Sequence, residues 1–412
     1  MNVLLLSPDS TENPFGGMGV QMKGLQQADS PINFKFYYVS NGPPFNEQDS
    51  VKTINIKGKS CHMQAPYDPK IFTVNNLYSQ LLSIPEISKL KDIDIVNSFD
   101  ASTGLLGASI ARALGVPHVF TLQLSNIFLL RDIFGYKGLD YYKRLEIKCI
   151  QHANAVVHGS MEYAREFYKF NNNVYTLRCG IDFDYWQKAG YALGYSNLEE
   201  KTLPGRKNAK KLCYIGRIAG MKNIQGIMNA KLPDNVDLYF IGHDRAGNQF
   251  LYEQFRDFIK NNKNVHFLGP IYGDEKIKTL KKMDAVIVPS LHEPFGIVTL
   301  EALASDNILL SSFKSGMGEY LNEDVAINCG TTPKEISKGI LKWSKMSKKQ
   351  VNDQIKRGHK FLKPFTWENS AAVLHEIYRR TIEQYNLLKE KDLGTIPSDN
   401  RYNSLTKFLN SK

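Results

Sequence analysis

The stretch Asp284-Ala285-Val286-Ile287-Val288-Pro289-Ser290-Leu291-His292-Glu293-Pro294-Phe295-Gly296-Ile297-Val298-Thr299-Leu300-Glu301 sets the fold of the chain. It opens with a short apolar run rich in β-branched residues, which reads as a strand buried on both faces. Glu293-Pro294-Phe295-Gly296 then reads as a turn, and the apolar residues from Ile297 onward as a helix. A buried strand feeding a helix is the repeating unit of a doubly wound parallel sheet. Ligands of such sheets sit in the crevice beyond the carboxyl ends of the strands, so Glu293 is expected to face one. The helix N-terminus beside it aims unpaired N–H groups at the same space. With Gly296 permitting close approach, Phe295, Gly296 and Ile297 are expected to seat a diphosphate. Glu301 follows further along the helix, placed to accept hydrogen bonds from ribose hydroxyls. Two glutamates eight residues apart are common in charged chains; the strand, turn and helix around them make this pair informative.

The same unit recurs in both directions. Strand-like runs are expected at 2–7, 34–39, 51–57, 93–98, 116–122, 155–158 and 174–178, with helical patterns at 103–114, 139–152 and 161–170. The second half has runs at 212–216, 236–241, 265–268, 285–289, 307–312 and 325–328, with helices over 249–261, 276–283 and 298–304. Near-continuous apolar strands alternating with helices define an α/β chain of two doubly wound parallel sheets. Residues 187–211 are polar, carry Gly190, Gly194, Pro204 and Gly205, and end in a basic run, the composition of an inter-domain linker. The expected division is a domain over 1–187, a linker over 188–211, a second domain over 212–366, and a final helix with a polar tail over 367–412. Length agrees, because 412 residues exceed one ordinary core.

Composition narrows the class. Hydrophobic residues make up 42% and charged residues 23%, an ordinary globular balance. No apolar run approaches the ~20 residues that span a bilayer, and the N-terminus lacks a signal-peptide pattern. The cysteines Cys61, Cys149, Cys179, Cys213 and Cys329 are scattered and odd in number, as expected of buried thiols in a cytoplasmic protein. A net charge of +11 favours an anionic partner, whether a diphosphate, a membrane surface or nucleic acid.

Three further motifs carry chemistry. The run 212–216 leads directly into Gly216-Arg217, and Lys222 follows five residues later. Two cations fixed at a strand's carboxyl end can neutralise a departing diphosphate; the bland alternative is a solvated basic turn. After the first strand comes Asn13-Pro14-Phe15-Gly16-Gly17-Met18-Gly19, where Gly17 and Gly19 would let backbone approach a phosphate or sugar. Its spacing is not Gly-x-Gly-x-x-Gly, which disfavours nicotinamide and flavin enzymes. Asp100 follows another buried strand, as either a sugar-hydroxyl contact or a helix N-cap. His118, His158, His243 and His292 show no metal-ligand spacing; His292 neighbours Glu293 and is allowed a contact role.

Taken in order, these residues resemble the GT-B retaining glycosyltransferases of family 4, kin to bacterial glycogen and starch synthases. The resemblance covers nearly the whole chain. It runs through the Gly16-Gly17-Met18-Gly19 loop, Cys179-Gly180-Ile181-Asp182, Gly216-Arg217 with Lys222, and Phe267-Leu268-Gly269. It continues through the Glu293 to Glu301 block and Phe365-Thr366-Trp367-Glu368. It implies two Rossmann-like domains facing a central cleft, with the final helix crossing back to the first. Glu293 is then expected near the reacting carbon of the donor sugar, Glu301 on the ribose, Arg217 and Lys222 on the diphosphate, and Ile271 by the base. Where the family commonly places a histidine after the strand at 116–122, this chain has Gln123, which can hydrogen-bond a sugar hydroxyl but does not titrate near neutrality. Where glycogen synthases carry a lysine before the loop glycines, it has Asn13-Pro14-Phe15.

The expected activity is transfer of a hexose, glucose-type favoured, from a UDP- or ADP-linked sugar to a hydroxyl of a glycan or glycogen-like acceptor, with retention. The nucleotide-sugar is a substrate. No cofactor and no metal are expected, because fixed cations and helix dipoles supply the positive charge. Two alternatives stand beside it: a sugar-nucleotide epimerase on the same architecture, and a glucosyltransferase acting on modified DNA. The basic tracts 206–211 and 342–349 are the DNA-binding candidates, but they lack interleaved aromatics apart from Trp343 and read as solvated helix faces. Peripheral contact with a membrane is the remaining use of the positive charge.

Overall fold

The computed structural model describes residues 1–7, 16–38, 90–125, 127, 140–188, 203–243 and 249–390. The expected strand at 51–57, the Asn13-Pro14-Phe15 segment, Cys61, linker residues 189–202 and the tail beyond 390 lie outside the described residues.

Two six-stranded parallel sheets organise the chain. The first holds β1 (Asn2–Ser7), β2 (Asn33–Tyr38), β3 (Ile95–Phe99), β4 (His118–Leu122), β5 (Ala155–His158) and β6 (Val174–Thr176), in the order β2-β1-β3-β4-β5-β6. The second holds β7 (Lys210–Ile215), β8 (Val236–Ile241), β9 (Val265–Gly269), β10 (Ala285–Val288), β11 (Ile308–Ser311) and β12 (Ala326–Asn328), in the order β12-β11-β10-β7-β8-β9. Their central strands are buried throughout because helices cover both faces of each sheet, the reason the apolar runs are continuous rather than alternating. This is the GT-B arrangement of two Rossmann-like lobes.

Helices α1 (Gly17–Gln27), α2 (Asp100–Leu114), α3 (Asp140–His152), α4 (Met161–Phe167) and α5 (Phe183–Lys188) accompany the first sheet and the crossing from it. In the second lobe α6 (Ile224–Met228), α7 (Gln249–Asn261), α8 (Gly273–Lys281), α9 (Ile297–Ala304), α10 (Pro333–Ser344) and α11 (Lys348–Leu362) precede the long α12 (Trp367–Glu390). Pattern alone did not single out α10 and α11, although each opens on a capping box: Thr332 with Glu335, and Ser347 with Gln350. The tract 206–211 is not a helix face. It is a turn entering β7, and Arg206 binds inward, Nε lying 2.8 Å from the fully buried Asp237. Cys149, Cys179, Cys213 and Cys329 are buried free thiols.

Helix α12 belongs to the second half of the sequence but packs on the first sheet. Ala371, Leu374, Ile377 and Tyr378 share a core with Val3, Leu5, Met22 and Val157. A buried polar chain locks it there: Asn97 Nδ2 donates to Tyr378 Oη at 2.6 Å, and Thr121 Oγ1 donates to Asn97 Oδ1 at 2.9 Å. Tyr378→Phe leaves the Asn97 amide without that partner in a dry interior and is expected to destabilise the fold by about 1–3 kcal/mol. Equilibrium urea unfolding of the two proteins checks this.

The chain crosses between lobes a second time beside α5, and the two crossings touch. Ile181 N donates to Phe365 O at 2.9 Å. Next to this bond, Gly180 is so close to the other crossing that a Cβ there would lie 2.3 Å from Trp367 N.

Candidate active site

The topology explains where a site forms. From β7 the chain winds outward to β8 and β9, then returns to β10 on the other side of β7 and continues to β11 and β12. The carboxyl ends of β7 and β10 therefore flank a switch point, where loops diverge and leave a crevice. In the first lobe β1 and β3 flank the equivalent point. The two crevices face each other across a cleft of about 2560 Å³.

The loop after β7 and the loop after β10 are joined before their side chains meet. Leu291 N donates to Met221 O at 2.9 Å, and Asn223 Nδ2 donates to Pro289 O at 3.0 Å. Lys222, at the end of the 3-10 turn Gly220–Lys222, thereby reaches Glu293, and their charged ends form an ion pair. Both side chains are largely screened from solvent, at 17% and 16% exposure. Arg217 lines the same cleft, remains exposed, and makes no ion pair with any of the described residues. Tyr214 Oη donates to Arg217 O at 2.7 Å and fixes that turn. Burial first, and then the neighbouring Glu293, push the Tyr214 hydroxyl well above its usual range, so it serves as a neutral donor.

Gly296 caps α9 with φ of 96°, a left-handed conformation that favours glycine. That turn directs the first amides of α9 at the cleft, which Gly296 and Ile297 line. Phe295 also borders it, but its side chain is 2% exposed and packs in the core of the second lobe. Deeper in, Glu301 accepts from Lys276 Nζ at 2.5 Å, and the same ammonium lies 5.6 Å from the ring centroid of Trp186. Ile271 lines the far end of the cleft with Tyr272, whose hydroxyl is hydrogen-bonded to His243.

From the first lobe, Gly17 faces α9 directly: a Cβ on it would lie 3.7 Å from Ile297 Cδ1. Gly19 is buried inside α1 and does not line the cleft, because the helix has already turned it towards the sheet. Asp100 and Gln123 do line it. Asp100 is not the N-cap of α2; that position is Phe99, and Asp100 has φ of 59°. Its Oδ1 accepts from Gln123 N at 2.8 Å and Leu124 N at 3.4 Å, stapling the loop after β4. The Gln123 side chain is hydrogen-bonded to that of Gln21 on α1.

Burial pushes the Asp100 carboxyl up from 3.8 to about 6, against the opposing pull of the two amides. The native state thus holds this proton to higher pH than the unfolded chain. Stability associated with Asp100 is complete below 3.8 and is lost as pH rises through about 6. Asp100→Asn keeps an accepting oxygen and has no such proton. Wild type is therefore expected to lose stability relative to the variant between about pH 4 and about pH 7; parallel unfolding free energies across that range would contradict it.

Residues of the site that the sequence did not single out are Lys276, Trp186 and Tyr185, which line the cleft, and Asn223, which lies behind it and ties the loop after β7 to Pro289. Asn223 alone carried a signal, an asparagine between a turn and a short helix; it adopts φ of 59° and accepts from Gly226 N at 3.2 Å. Lys276 and Trp186 meet Glu301 only through the packing of α8 and α5 near α9, which no local pattern encodes.

Two Rossmann-like lobes, with a carboxylate turn and a basic turn converging on the cleft between them, make up the GT-B fold. Residues 197–361 match the family described as glycosyl transferases group 1. An uncharacterized glycosyltransferase of Methanocaldococcus jannaschii is 21% identical over 336 residues, 80% of this chain and 87% of that protein. The alpha-maltose-1-phosphate synthase of Mycobacterium tuberculosis is 24% identical over 274 residues, 63% of this chain and 70% of that one. Among solved structures, sucrose-phosphate synthase from Thermosynechococcus elongatus superposes with a TM-score of 0.74 at 15% identity, covering 93% of this chain and 99% of its own. HepE of Anabaena, solved with UDP and glucose, gives 0.66 at 14% identity, covering 92% and 99%. The partial family match and the curated relatives support a glycosyltransferase, and the solved structures show the shared fold. Among the described residues no helix is long and apolar enough to cross a membrane.

Proposed function

We propose that the chain transfers a hexose, glucose-type, from a nucleoside-diphosphate sugar to an acceptor hydroxyl with retention at the anomeric carbon. The observation that carries this reading is the meeting of Glu293, Lys222 and the exposed Arg217 at the switch point beside the N-terminus of α9. In this reading the diphosphate lies between Arg217, Lys222 and the first amides of α9, at Gly296 and Ile297, while Phe295 supports the turn. The base lies by Ile271 and the ribose by Glu301. Gly17 approaches the donor from the first lobe, and Asp100 and Gln123 receive the acceptor.

Glu293 changes partners as the reaction proceeds. In the unliganded cleft it is paired with Lys222; the diphosphate competes for that ammonium, and the freed carboxylate turns to the sugar. As the sugar–phosphate bond lengthens, positive charge grows on the ring and negative charge on the leaving oxygen. Glu293 stabilises the first, Arg217 and Lys222 the second. The leaving phosphate oxygen takes the acceptor proton as the acceptor attacks the same face. These groups supply the charge this chemistry needs, so the reading requires no metal. UDP or ADP is the carrier favoured; HepE, similar in fold, was solved with UDP and glucose.

The test is a thermal-shift screen of nucleotide-sugars followed by nucleotide release with candidate acceptors. The reading expects one donor to raise the melting temperature and to release nucleotide faster when acceptor is present. Conversion of a bound donor to another sugar-nucleotide without acceptor would replace transfer by epimerisation.

A further inference from the structure

Glu319 stands in the 3-10 turn Met317–Glu319 of the second lobe, yet its carboxylate is held by the first. Oε2 accepts from Met161 N at 3.0 Å, while Oε1 accepts from Glu162 N at 2.9 Å and Ser160 Oγ at 2.5 Å. These are amides that a helix leaves unpaired at its start, here the first turn of α4. Ser160 is the helix's own cap, accepting from Tyr163 N at 3.3 Å. Glu319 therefore completes, from the second lobe, a cap that the first lobe begins.

The segment leading to Glu319 also carries the carboxylate turn. Gly316 N donates to Glu293 O at 3.1 Å, Met317 N donates to Phe295 O at 2.7 Å, and Ser315 forms a parallel bridge with Glu293. The lobes are in close contact at this point. A Cβ on Gly316 would meet Pro294 O at 2.4 Å and Gly159 O at 2.8 Å, and the Tyr163 ring of α4 lies 4.5 Å from that of His292. A continuous run of bonds thus joins α4 to Glu319, to residues 315–317, and to Glu293.

We propose that Glu319 is a positioning residue that, by capping α4 across the interface between the lobes, fixes how the Glu293 turn faces the first lobe. It does not line the cleft and touches neither substrate seat. The kinetic part of this proposal rests on the transfer reaction proposed above; its structural part does not.

The test uses the full chain with Glu319→Ala and Glu319→Gln, reading hydrogen exchange over 160–164 together with kcat and donor KM. In the alanine variant the Met161 and Glu162 amides are expected to exchange at least about tenfold faster. Misplacement of the turn is expected to lower kcat by about 10²-fold with donor KM nearly unchanged. Glutamine keeps one accepting oxygen and should recover part of both. Unchanged exchange in the alanine variant would overturn the cap. Faster exchange with wild-type kcat would overturn the positioning role, and so would a rise in donor KM that matches the loss of kcat. Should wild type release nucleotide from no donor at all, the transfer reading fails, and the exchange comparison still decides whether the cap exists.

Discussion

Glu293→Gln is expected to lower kcat by about 10²–10³-fold while leaving donor affinity within a few-fold of wild type. The substitution keeps the shape of the side chain and the backbone bond from Gly316 N to Glu293 O, and removes only the charge. In the ground state the donor sugar is neutral and gains little from a carboxylate. Lys222, released from its ion pair, becomes more available to the diphosphate, so binding is preserved. In the transition state the ring is positively charged, and a neutral amide in this screened position stabilises it far less. Steady-state nucleotide release gives kcat, and calorimetric titration of donor gives affinity. Near-normal turnover would remove Glu293 from the reacting centre; equal losses in kcat and affinity would make it a donor-binding residue instead.

A large effect on the fold is expected at the double crossing between lobes. In Gly180→Ala the new methyl group would lie 2.3 Å from Trp367 N, 2.4 Å from Thr366 C and 2.6 Å from Thr366 O. All three are backbone atoms and cannot rotate away, so the crossings must separate and the Ile181 N to Phe365 O bond must stretch or break. Forcing extra volume into such a contact costs typically 1–3 kcal/mol and here about 3 kcal/mol or more, because no side chain can absorb it. Denaturant unfolding should show this loss, and small-angle scattering should show an altered separation of the lobes. A variant as stable as wild type with an unchanged scattering profile would mean that the crossings are loosely packed.

The strands were legible in the sequence because both faces of each sheet are covered, which leaves continuous apolar runs such as Val286-Ile287-Val288. The placement of the Glu293 and Arg217 turns at strand ends was legible for the same reason. The pairing of Lys222 with Glu293 and of Lys276 with Glu301 was not, since it depends on β10 returning beside β7 and on α8 packing near α9. Asp100 shows the limit most clearly. An aspartate after a strand and before a helix is the ordinary sign of an N-cap, yet here the chain turns through φ of 59° and the carboxylate binds a loop from β4. Basic residues at 206–211 misled similarly, because the partner of Arg206 is Asp237, a residue of β8. Glu319 carried no local signal, as its partners lie in the other lobe.

Hydrogen exchange with the nucleotide-sugar or nucleoside diphosphate that most raises the melting temperature tests the central claim most directly. If the loop after β7 and the loop after β10 form a single diphosphate seat, exchange should slow together over 214–223 and 290–301 and stay unchanged over 333–344. Ligand binding that protects one of these loops without the other, or protects only α10, would contradict it.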